Sequence, residues 1–85
     1  MILAQSPRLE LCVGFDPHPS VLQIWGSSDS VKGLDSCIEK FLSLALEHDV
    51  RKVKLQVAFF ERYGLVGLAA LARLIGTLRQ HGILV

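Results

Sequence analysis

The order in which apolar segments change their period constrains this chain more than any other feature. Residues 9–15, LELCVGF, form a short apolar run bounded by turn formers, the pattern of a strand buried on both faces. DPHPSVLQIWGSSDS follows as a loop with room for one helical turn around Val21 to Trp25, because prolines, a glycine and serines dominate it. From about 31 to 48, Leu34, Cys37, Ile38, Phe41, Leu42 and Ala45 recur at helical spacing, and Ser36 to Glu39 fits a capping box that leaves the start of this helix open by several residues. VRKVKLQVAFF then alternates, predicting a second strand near 52–57, with ERYG as a connection. Residues 65–80 place Leu68, Leu71, Ala72, Ile75 and Leu78 on a broad helical face, His81 and Gly82 stop that helix, and ILV opens a third strand.

Strand, helix, strand, helix, strand is the signature of parallel strands joined by right-handed crossovers, with the helices layered outside. Such strands need cover on both faces, and two and a half of them cannot complete a core. Residues 1–85 therefore read as one partial α/β domain. It would be the N-terminal part of a (β/α)8 TIM barrel, about two βα units plus the start of strand three, or else the start of an open doubly wound sheet. Composition agrees: 51% of the residues are hydrophobic, more than a globule this small can readily hide. A membrane does not account for the surplus, since charged residues interrupt every apolar run well short of the roughly 20 residues needed to span a bilayer. MILAQSPRLE lacks the layout of a signal peptide, so a cytoplasmic location is expected. The net charge of +1 and the alternating RKVK at 51–54 do not invite nucleic acid. Cys12 and Cys37 lack a CxxC or zinc-ligand pattern and read as buried reduced thiols.

In parallel barrels, binding and catalytic groups emerge at the carboxyl ends of the strands. Asp16 closes the first strand, and Lys54 and Gln56, two apart, share one face of the second. An acid and an ammonium meeting at one mouth would make a polar site. The alternatives are an Asp-Pro turn device and a lysine snorkelling from a strand end. Asp16 and His18 supply only two potential metal ligands, so no metal is expected. Phe59, Phe60 and Tyr63 are expected to pack against the neighbouring unit, Glu61 and Arg62 to pair, and His48 and His81 to lie near helix ends.

LCVGFDPHPSVLQIWG followed by VKLQVAFFERYGLVGLAALARLI resembles the amino-terminal part of orotidine 5'-phosphate decarboxylase, in the bacterial subgroup whose first strand runs into DPHP and whose second reads VKPQ, then AFFE and a glycine. The resemblance runs from about residue 9 to the end, and two separated motifs agree together with their spacing. It implies that Asp16 and Lys54 contact the ribose hydroxyls of the nucleotide and that Lys54 also belongs to the charged catalytic network. It implies further that Gln56 faces the site. Leu55 departs from the subgroup's proline.

What the resemblance implies about chemistry is equally definite. Members convert orotidine 5'-phosphate to UMP and carbon dioxide in pyrimidine biosynthesis without metal or organic cofactor, by surrounding a developing carbanion with fixed charges. The family's D-x-K-x-x-D, which carries the proton-donating lysine, follows strand three and is absent from residues 1–85. The 85-residue chain is therefore expected to be inactive alone, its parent a homodimeric carboxy-lyase, and the fragment prone to self-association. The competing readings are a non-catalytic, self-associating piece of barrel and another phosphate-sugar lyase or synthase on the same fold.

Overall fold

A computed structural model describes residues 12–85; Leu9, Glu10 and Leu11, the front of the expected first strand, lie outside the described residues. Strand β1 (Cys12–Phe15) leads through an Asp-Pro turn into helix α1 (Pro19–Ile24), then helix α2 (Val31–Glu47), strand β2 (Lys52–Leu55), helix α3 (Val57–Glu61) and helix α4 (Gly64–Gln80). β1 and β2 are parallel, with Val13 opposite Val53, Gly14 opposite Lys54 and Phe15 opposite Leu55. Beyond α4, Leu84 makes a parallel bridge to Lys52 on the other side of β2, with Val53 N donating to Leu84 O and Leu84 N donating to Arg51 O, both at 2.8 Å. The parallel order and the start of a third strand are thus as expected.

The two faces of this small sheet differ because side chains alternate along a strand. Phe15 and Val53 are buried against the helices, while Cys12, Gly14, Lys54 and Leu84 are exposed. Phe15 is the centre of the covered face: its ring stacks on Phe41 of α2 at 4.3 Å and 6°, and meets the edge of Phe60 at 6.3 Å. Leu22, Leu34, Leu74, Leu78 and Phe60 complete the core, each almost wholly removed from water, and each such side chain contributes about 1.5–3 kcal/mol. The burial expected for Cys12 is not observed, because helices cover one face of the sheet only. Cys37 is buried as expected, and its burial pushes the thiol up in pKa.

Helix boundaries follow identifiable caps. Ser30, extended and with its hydroxyl accepting from Gly33 N at 3.1 Å, starts α2, so the Ser36 capping box is incorrect and Ser36 lies within the helix. His18 caps α1 with its ring nitrogen accepting from Ser20 N, and Pro19 occupies the first turn, where its missing N–H costs nothing. α2 and α4 end in the same turn. Val50 N reaches Ala45 O at 3.0 Å and Ile83 N reaches Leu78 O at 2.9 Å, across left-handed Asp49 and Gly82.

Two expectations need correction. The second strand does not reach 57: β2 ends at Leu55 and Val57–Glu61 form α3. The buried face of α4 is Gly67, Ala70, Leu71, Leu74 and Leu78, whereas Leu68 and Ala72 are exposed. The phase is set by contact with α3, since a β-carbon at position 67 would lie 2.0 Å from the Phe60 carbonyl oxygen. A Gly67→Ala variant is therefore expected to lose at least about 1 kcal/mol in urea denaturation. Gly76→Ala, where a β-carbon would meet nothing within 4 Å, should gain about 0.5–1 kcal/mol; equal responses would contradict this packing.

Candidate functional site

The parallel register brings the carboxyl ends of β1 and β2 to one edge of the sheet. Lys54 lies opposite Gly14, whose missing side chain leaves its surroundings open to 4 Å, and Asp16 follows two residues beyond that glycine. Gln56, still extended at φ −100° and ψ 109°, is the first residue past β2 and stands at the N-terminus of α3 without capping it through its side chain. All three are exposed, and among the described residues none of their side chains makes a hydrogen bond or ion pair. Asp16 does turn the chain, with its carbonyl accepting from His18 N at 2.7 Å while Pro17 is buried beneath. The backbone makes the turn, so the carboxylate is left available.

Around this edge the aromatic residues divide. Phe60 is fully buried beside Phe15, while Phe59 meets the ring of His18 edge-on at 5.6 Å. Tyr63 and Arg62 converge on Asp29: the Tyr63 hydroxyl donates to one carboxylate oxygen at 2.5 Å and Arg62 Nη2 donates to the other at 3.0 Å. The expected Glu61–Arg62 pair is replaced by this cluster. The Tyr63 and Arg62 hydrogen bonds hold the Asp29 carboxyl below the ordinary carboxylate range, while burial and the Asp29 hydrogen bond push the Tyr63 phenol up to about 12. No periodicity or motif flags Asp29, because its partners lie 33 and 34 residues away.

A concavity of about 560 Å³ runs along β1, with Val13, Phe15, Trp25 and Phe41 in its wall and Asp16 among its lining residues. It is an apolar space between sheet and helices, and its lining does not include Lys54. Among the described residues, no group of three His, Cys, Asp or Glu side chains could hold a metal ion, and no helix is long and apolar enough to cross a membrane.

Comparison with known proteins supplies independent information. Orotidine 5'-phosphate decarboxylase of Corynebacterium efficiens is 46% identical over 96% of this chain, that of Corynebacterium glutamicum strain R 45% over 100%, and that of Salinispora tropica 48% over 92%. The chain spans only 28–30% of the length of these relatives. In structure it is similar to a candidate orotidine 5'-phosphate decarboxylase from Streptomyces avermitilis, with a TM-score of 0.79 and 44% identity, over 86% of this chain and 25% of that one. No protein-family model matches the chain.

The exposed face has a direct chemical readout. Cys12 is expected to react with a thiol-disulfide reagent in the folded chain, and Cys37 only as the chain unfolds. Protection of both thiols in the native chain would show the sheet face to be covered.

Proposed function

We propose that this chain, homologous to one segment of the orotidine 5'-phosphate decarboxylases, forms the N-terminal part of the barrel of such an enzyme and provides the ribose-binding edge of its nucleotide site. In this reading residues 1–85 are a single partial domain. Asp16 accepts hydrogen bonds from ribose hydroxyls, Lys54 donates to them and adds a positive charge to the catalytic network, and Gln56 supplies a further polar contact from the start of α3. The observation that carries it is the identity of 45–48% to named decarboxylases across 92–100% of the chain. Parallel register supports it, since Lys54 and Asp16 belong to the carboxyl ends of neighbouring strands.

The division of labour follows from the chemistry. Loss of carbon dioxide from the pyrimidine leaves a carbanion that must be stabilised and then protonated. Fixed charges do this efficiently only when several are held rigidly in a site closed to water. Asp16 and Lys54 can grip a sugar, but residues 1–85 contain no D-x-K-x-x-D to deliver the proton. The parent enzyme in this proposal is a cytoplasmic homodimer acting on orotidine 5'-phosphate.

A chimera tests this reading. Replacing the matching segment of the Corynebacterium glutamicum relative with residues 12–85 should sustain growth of a uracil-requiring strain that lacks its own decarboxylase, and Lys54→Ala in the same chimera should abolish it. A folded chimera without decarboxylase activity would overturn the assignment, as would full activity with alanine at 54. The isolated 85-residue chain should convert no orotidylate to uridylate.

Self-association of the isolated chain is a second reading, favoured by Leu65 and Ile24, which are 84% and 79% exposed. Sedimentation at micromolar concentration should show species larger than 9.4 kDa; a sharp monomer boundary would exclude it.

A further inference from the structure

We propose that Asp29, Arg62 and Tyr63 form a positioning clasp that joins the β1–α2 connection to the α3–α4 corner and thereby fixes Asp16 relative to Lys54. The proposal rests on the reading above in one respect, that Asp16 and Lys54 serve a common ligand.

Each member of the clasp is planted on a rigid element. Asp29 immediately precedes Ser30, the cap of α2, and the segment before that cap is held by a 2.7 Å hydrogen bond between the Ser28 and Ser30 hydroxyls and by Ser30 N donating to Ser28 O at 2.9 Å. It is also pressed against α2, because a β-carbon at Gly33 would lie 1.7 Å from Ser28 O. On the opposite side, Arg62 ends α3 and Tyr63 precedes α4, with Tyr63 N donating to Phe60 O at 3.1 Å and Gly64 turning through φ +66°. The carboxylate therefore ties together two corners whose own backbones are already fixed. Arg62 Cζ lies 5.5 Å from the centre of the Tyr63 ring, so both donors share one approach to Asp29.

Energetics separates a positioning role from a stabilising one. The ionic side chains are 39% and 45% exposed, and ion pairs this open to water contribute little to stability. A contact worth so little to the fold can still decide geometry. The two connections it joins are those that carry Asp16 and Gln56 away from the sheet, and the ring contacts of His18 with Phe59, and of Phe15 in β1 with Phe60, join the same parts of the chain. Ring edges tolerate sliding; two directed hydrogen bonds to one carboxylate do not.

The sign of the pH dependence is fixed by the same contacts. Asp29 has a depressed pKa, so its contribution is present above the ordinary carboxylate value and is lost as pH falls through the depressed one. Tyr63 has a raised pKa, so its contribution is complete below ~10 and is lost as pH rises towards about 12. The charged groups facing the clasp are Arg62, Asp29 and, at longer range, His18. The clasp is closed throughout the neutral range.

Tyr63 is the single tyrosine of the chain, so its ionisation is read directly from phenolate absorbance. In the full 85-residue chain its midpoint should lie near 12 and should fall in D29N while staying above the ordinary phenol value of ~10, because the burial of the ring remains. In the same variant, and in Y63F, the backbone amide resonances of Asp16 and Lys54 should shift while those of Leu34 and Leu74 stay in place and the helical circular dichroism is unchanged. An unchanged Tyr63 midpoint in D29N would overturn the clasp; a lowered midpoint with unmoved Asp16 and Lys54 resonances in both variants would overturn its positioning role. Titration with uridine 5'-monophosphate keeps the two readings apart. If amides respond to D29N but the nucleotide perturbs neither Asp16 nor Lys54 in the folded chimera with the Corynebacterium glutamicum relative, positioning stands and the ribose reading fails.

Discussion

Parallel pairing of β1 with β2 is the constraint from which the rest of the structure follows. Parallel strands must be joined by a return crossing, and here α2 makes that crossing and lies against the face carrying Phe15 and Val53. Once that face is filled by Phe41, Leu34 and Cys37, the alternation of side chains commits Cys12, Gly14 and Lys54 to the other side. The same pairing brings the carboxyl ends of the strands together. Core and candidate site are thus opposite faces of one decision about strand direction.

Much of this was legible in the letters because helical and strand periods are local. The start of the third strand, the cap at Gly82, the short helix near Val21 and the buried Cys37 were all read from neighbouring residues. The expected end of the second strand lies two residues too far because Val57 suits a strand as well as a helix; what makes 57–61 helical is their place between the end of β2 and the Tyr63–Gly64 turn. The phase of α4 was misread because leucines and alanines surround most of its circumference, and only the close approach of Gly67 to α3 distinguishes one side. Cys12 looked buried because an apolar strand implies cover that only one layer of helices provides.

The candidate site divides in the same way. Asp16, Lys54 and Gln56 were found by their positions at strand ends and by two motifs, both one-dimensional signals. Asp29 was not found, because its significance lies in meeting residues 33 and 34 positions downstream, and a carboxylate in a serine-rich loop reads as solvated. Such contacts depend on how the two connections fold back over the sheet, which no local pattern records.

The matching turns after α2 and α4 carry a consequence of their own. His48-Asp49-Val50 and His81-Gly82-Ile83 bend the backbone alike, with φ of −99° and −95° at the two histidines, so each helix hands the chain back to the sheet through the same joint. A βα module bounded by such joints is interchangeable in principle with its neighbour. Duplication or transposition of one module would keep the next strand in line, which is the kind of modularity by which a cylinder can grow from copies of a single ancestral unit.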